Sequence, residues 1–238
     1  MEAFTPLWPG GPLFCASPHF PLSTDSVLLA DFCCPRGREN GIDLGCGAGI
    51  LSLLLLQRHK GLTLTGLELM PQAAALAEQN LAANGCSDRG TILTGDICRV
   101  REQFPSGSFD FAVSNPPYFP AGSGAASPDG ERAAARSESA CTLDALCGAV
   151  RYLCRSGGRF FVVHRAERLA DLFCAMRTNA IEPKRLRLVS HHSGAAPSLA
   201  LVEGRRDGKS GLLVEPTLLL FDADGAESAE SRRIYHKI

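Results

Sequence analysis

Residues 43–49 read Asp43-Leu44-Gly45-Cys46-Gly47-Ala48-Gly49, and the segments on either side decide what that run is. NGIDL (40–44) before it is short and mostly apolar, as a buried strand is. GILSLLLLQRH (49–59) after it is an apolar stretch of helical length, entered through glycine. Glycines let the main chain turn sharply and come close to a ligand. The start of the following helix presents N–H groups without intrahelical partners.

Further out, strand and helix patterns alternate. LTLTGLEL (62–69) is a β-branched strand. PQAAALAEQNLAANG (71–85) is a helix with Pro71 in its first turn and Gly85 as its stop signal. GTILTGD (90–96) and FDFAVSN (109–115) are strands, TLDALCGAVRYLC (142–154) a helix, GGRFFVVH (157–164) a strand and ERLADLFCAMRTN (167–179) a helix. RLRLVSHH (185–192), SLALVEGRR (198–206) and TLLLFDAD (217–224) follow as strands joined by turns. This order predicts an α/β, Rossmann-like fold: a mainly parallel seven-stranded sheet with an antiparallel end and helices on both faces. One domain is expected over 1–238, with an N-terminal arm and helix at 1–38 and the core at 39–238. Ser23 or Thr24 is placed to cap the helix DSVLLADFCC (25–34), which stops at Pro35. Residues 119–138, rich in Gly, Ala and Ser with several charges, form a long loop of the kind that carries function.

Composition excludes some classes. No apolar run is long enough to span a membrane, and the first residues lack a basic secretory leader. Ten cysteines occur without a CxxC pair, most within apolar runs, so buried thiols in a reducing cytoplasm are expected. The net charge of −1 is unevenly spread: residues 1–119 carry 7 Lys/Arg against 11 Asp/Glu, and the remainder 17 against 14. A polyanion would therefore meet the second half. His191 and His192 are adjacent on a predicted strand and point to opposite faces, so no metal site is expected there.

The DxGxGxG turn differs from a dinucleotide fingerprint. Asp43 would repel a pyrophosphate and suits a cationic group, such as the ammonium of S-adenosylmethionine. Gly45, Gly47 and Gly49 then line that cofactor. Glu68, ending the second strand, is placed to accept from ribose hydroxyls, with Leu69 and Met70 beside the adenine. Asp96 and Ile97, after the third strand, are placed for the adenine amino group and an apolar contact. All lie at strand C-termini, where such sheets bind ligands.

Asn115-Pro116-Pro117-Tyr118 follows the fourth strand. Two prolines fix the backbone and remove N–H donors, leaving the Asn115 side-chain oxygen and the Pro116 carbonyl as acceptors. A planar NH2 group supplies two matching donors, and Tyr118 a face for stacking. Accepting both hydrogens readies the nitrogen lone pair for attack on a sulfonium methyl, so positioning carries most of the rate.

Together DLGCGAG, Glu68, Asp96 and NPPY resemble the class I amino-methyltransferases, which include adenine-N6 enzymes and release-factor glutamine methyltransferases. Over nearly its full length the chain is similar to the bacterial tRNA(Val) adenine-N6-methyltransferases. FPLSTDSVLLADFC resembles their Thr-Asp helix, which implies Thr24 and Asp25 near the methionine end of the cofactor; ERAAARSE and the tail ESAESRRIYHKI also match. The tail has Glu227-Ser228-Ala229-Glu230 where relatives often have Tyr-Thr before the final Glu. The resemblance implies methylation of N6 of an adenine near the anticodon of a tRNA. NPPY also suits a protein glutamine amide, and a noncatalytic RNA-binding module is the third alternative. An adenine must leave the stack to react. The positive second half suggests that Arg132, Arg136, Lys184, Arg185, Arg187, Arg205, Arg206 and Lys209 hold RNA phosphates beside the substrate edge.

Overall fold

A computed structural model describes residues 3–17, 20–117 and 142–236. Two two-residue strands, β1 (Thr5–Pro6) and β2 (Leu13–Phe14), pair antiparallel in the N-terminal arm. Helix α1 (Thr24–Phe32) follows. Then come β3 (Asn40–Leu44), α2 (Ile50–Arg58), β4 (Thr63–Glu68), α3 (Pro71–Ala83), β5 (Gly90–Thr94), a short 3-10 helix (Ile97–Glu102) and β6 (Phe109–Ser114). After the undescribed segment come α4 (Leu143–Leu153), β7 (Cys154–Arg165), α5 (Leu169–Thr178), β8 (Ile181–Ser190) and β9 (Leu199–Arg206). The chain closes with β10 (Leu213–Val214), β11 (Leu218–Leu219) and α6 (Ala229–Ile234).

The main sheet runs β10-β8-β9-β7-β6-β3-β4-β5, with β11 also on β8. Pairings from β5 to β7 are parallel, and β9 runs antiparallel to both its neighbours. Seven longer strands form the body as expected, including the antiparallel end. Two two-residue strands raise the described total to nine. TLLLFDAD, expected as a full strand, supplies only β11: β8 ends at Ser190, and beyond it a single hydrogen bond, Phe221 N to His191 O, continues the contact.

Alternation along each strand sends side chains to two cores. Phe161 and Val163 of β7 pack with α1, α2 and α3, whereas Phe160 and Val162 pack with α4 and α5. Helix α2 is buried from Ile50 to Leu56, as its uninterrupted apolar sequence requires. The N-terminal arm is not a loose extension. Asn84 Oδ1 accepts from Leu13 N at 2.8 Å. Asn80, fully buried on α3, accepts from Cys15 N at 2.8 Å and donates to Cys15 O at 3.1 Å and to Ala48 O at 2.9 Å.

Candidate active site

The glycine turn is fastened to β4 and to α3. Gly45 N and Cys46 N donate to Leu67 O at 2.8 and 3.2 Å, hooking the turn onto β4. Gly49 caps α2 in the left-handed region (φ +82°), and a Cβ there would stand 2.9 Å from Ala77 Cβ, so α3 packs directly on it. Gly47 also has a positive φ (+55°), but a Cβ there would meet nothing within 4 Å: this is the turn's open side.

Glu68 connects two motifs that sit 21 residues apart. One carboxylate oxygen accepts from Gly47 N and the other from Met70 N, both at 2.9 Å. The carboxylate is 9% exposed, while Leu69 and Met70 beside it are 52% and 48% exposed. An apolar ledge thus lies next to an anchored anion. Ile97 borders the same turn, its Cδ1 3.9 Å from where a Gly45 Cβ would stand. Asp96 caps the 3-10 helix through Cys98 N at 2.8 Å. Asp43 sits behind the turn, 1% exposed, and accepts from Ser52 Oγ of α2 at 2.7 Å. Burial, partly offset by that hydrogen bond and reinforced by the nearby Glu68 charge, pushes its carboxyl up to about 7.

β6 lies beside β3, and Ser114 Oγ donates to Leu44 O at 2.7 Å. The bond ties the residue before Asn115 to the residue before Gly45, so the Asn-Pro-Pro corner and the glycine turn leave the sheet side by side. The Asn115 amide nitrogen donates to Ser23 Oγ and Ser26 Oγ, each at 2.9 Å. Both amide hydrogens are committed to α1, which turns the oxygen to the other side of the group. Ser23 makes no side-chain capping bond to its own helix; its hydroxyl serves Asn115 instead. Pro116 is half-buried and Pro117 exposed. No motif names Ser23, Ser26 or Ser114. The one signal is the i, i+3 spacing of Ser23 and Ser26, which puts them on one helix face.

Thr24 is exposed at the start of α1, and Asp25 lies in its first turn. Burial, with Asp25 and Glu227 nearby, pushes the Tyr235 hydroxyl up to about 12, so the last helix closes against α1. Asp31 of α1 also pairs with Arg233 of α6 at 2.9 Å. Tyr118, Arg132 and Arg136 lie outside the described residues.

The other basic residues expected at the RNA lie in β8, in β9 and just after β9. Lys184 and Arg185 lie in the middle of β8, with Arg185 opposite Glu203 of β9, and Arg205 and Arg206 end β9, which runs antiparallel to β7 and β8. Their heads are engaged by the protein. Lys184 donates to Lys209 O at 3.0 Å and Gly211 O at 2.6 Å. Arg185 pairs with Glu203 and Glu215 and covers the Phe32 ring. Arg205 donates to Gly157 O and Arg206 to Cys154 O. Arg187 is held by Glu230. Among the described residues no group of three His, Cys, Asp or Glu can hold a metal ion, and no helix is long and apolar enough to cross a membrane.

Comparison with known proteins agrees with this geometry. The family model described as methyltransferase small domain matches residues 22–177. A tRNA1(Val) (adenine(37)-N6)-methyltransferase of Aliivibrio salmonicida is 36% identical over 58% of this chain and 57% of its own length. Proteins of the same name from Porphyromonas gingivalis and Dickeya chrysanthemi are each 34% identical, over 77% and 85% of this chain and 74% and 81% of theirs. A predicted O-methyltransferase from Agrobacterium tumefaciens has the same fold at 18% identity, with a TM-score of 0.73 over 89% of this chain and 95% of that one. The chain belongs to the methyltransferase small domain family and, within it, to the tRNA1(Val) (adenine-N6)-methyltransferases.

Proposed function

We propose that this chain transfers a methyl group from S-adenosylmethionine to N6 of an adenine in a tRNA, next to the anticodon. The observation that carries the reading is the Ser114–Leu44 bond, which sets the acceptor corner beside the glycine turn. The turn suits the cofactor: its open side at Gly47, the Leu69–Met70 ledge, Ile97 and the Glu68 carboxylate offer backbone approach, apolar cover and a hydrogen-bond acceptor together. Bound there, the cofactor supplies an electrophilic methyl on a sulfonium. Gly45, Gly47, Gly49, Glu68, Leu69, Asp96 and Ile97 would hold it, with Thr24 and Asp25 towards its methionine end. Asp43 acts from behind the turn by fixing the first turn of α2 through Ser52.

On the substrate side Asn115 does the work of an acceptor. Its amide nitrogen is committed to Ser23 and Ser26, so the oxygen and the Pro116 carbonyl receive the two hydrogens of the target amine. That holds the nitrogen lone pair towards the methyl without a strong base. Tyr118 stacks on the flat base. Arg132 and Arg136 in the loop after Tyr118 are the basic residues best placed in sequence for phosphates. The relatives' names support tRNA, and adenine at position 37 in those proteins, over a protein glutamine amide.

The test is incubation of the purified chain with methyl-labelled cofactor and either a total tRNA pool lacking this modification or a release factor. Label in N6-methyladenosine after nucleoside digestion is expected. Label in protein, or in neither, overturns the proposal.

A further inference from the structure

Beyond Asn115 the C-terminal sheet edge holds a second structured feature. β8 ends at Ser190 on that edge, and His191 and His192 follow. Phe221 N donates to His191 O at 2.8 Å, which draws the two side chains together. Their rings stack with centroids 4.4 Å apart and planes 26° apart, and His192 stands edge-on to His191 at 5.8 Å. These rings, with Ser193, Asp222 and Gly225, line an open cavity of about 470 Å³. His191 and His192 are exposed and Phe221 is half-buried.

From this arrangement we infer that His191, His192 and Phe221 form a stacking subsite for an unpaired nucleobase of the substrate RNA near the target adenine. The inference rests on the proposed RNA substrate.

Position supports it first. From β6 to β8 is three strand spacings, roughly 14 Å, a span that a short run of extended single strand covers. The ground between is continuous: Asn115 bonds Ser23 at the head of α1, Asp31 of α1 pairs with Arg233 of α6, and Glu227 just before α6 bridges to Phe221.

Chemistry supports it second. One face of His191 rests on Phe221 while the residue stays exposed, which suits a flat ring. His192 Nδ1 lies 2.9 Å from Ser193 O and, facing a carbonyl, is the donor. Asp222 brings a negative charge into the cavity, which disfavours a phosphate and suits a base amino group. Proteins that read unpaired RNA use such aromatic platforms. A cavity of this size also fits a single base better than a helix.

The experiment is equilibrium binding of an anticodon stem-loop RNA with 2-aminopurine beside the target adenine. The wild-type chain is expected to quench the probe. His191→Ala and Phe221→Leu should each weaken RNA binding about tenfold and remove the quench. His191→Phe, which keeps a flat ring, should retain both, and cofactor affinity should be unchanged throughout. Wild-type affinity and quenching in His191→Ala and Phe221→Leu would overturn the subsite, as would a wild-type chain that does not bind this RNA. Failure of the proposed reaction reads differently: the RNA binds and is quenched, yet no methyladenosine forms.

Discussion

After β3 the chain turns under tight control, with the Leu67 carbonyl of β4, a buried carboxylate and the packed face of α3 each holding part of residues 45–49. After β8, on the same edge of the sheet, exposed rings border an open cavity and rest mainly on one another. The two ends of one edge are thus built to different standards of rigidity. The cofactor end must present fixed backbone to a ligand of constant shape. The substrate end meets a polymer that adapts, and stacking tolerates small displacements. Asn115 stands between them and borrows from both: β6 fixes its backbone, and α1 fixes its amide.

Asn115→Ala should give the largest effect, a fall in turnover of about 10²–10³ with cofactor affinity nearly unchanged. Single-turnover assays beside calorimetric titration check it, and comparable turnover would end the role assigned to the corner. Glu68→Ala should act at the other end. Losing an anchor that holds Gly47 and Met70 weakens cofactor binding by about 10–100-fold and leaves the affinity for RNA as it was. A variant that lost RNA and cofactor affinity together would erase the distinction between the two ends.

Ser26→Ala should lower kcat by about tenfold without moving the KM for cofactor, and Ser26→Thr should recover most of the loss. The Asp43 carboxyl is raised in the folded chain from an ordinary 3.8 to about 7. A raised pKa contributes stability that is complete below the unfolded value and is lost as pH rises through the folded one. The cofactor-free protein should therefore lose stability between about pH 4 and 7, with a slope no steeper than about 1.4 kcal/mol per pH unit. Melting curves of wild type and Asp43→Asn test this; an equal slope in both would exclude Asp43 as its source. The smallest effect belongs to Lys184 and Arg205, whose heads already donate to protein carbonyls: Lys184→Ala with Arg205→Ala should leave tRNA affinity within about twofold. A clear loss would place those residues on the RNA surface.

These contrasts track what could be read from sequence. The strand–helix alternation and the glycine turn were legible because period, turn chemistry and spacing are local properties. Parallel strands then carried Asp43, Glu68, Asp96 and Asn115 to one edge without further information. Which basic residues meet the RNA was not legible, because charge composition does not say which heads the fold itself engages, as it does those of Lys184, Arg185, Arg205 and Arg206. The part that Ser23, read only as a cap candidate, and Ser26 play at Asn115 was not legible either. Their hydroxyls act on a residue 92 and 89 positions away, a partnership that only tertiary packing creates.

Asn80 gives the molecule an order of assembly. One side chain on α3 clasps Cys15, 65 residues upstream, and Ala48 inside the glycine turn. A chain lengthening on the ribosome therefore makes its first strands and its ligand-facing turn well before it makes the amide that locks them. Neither has this fastening until the third helix has been made.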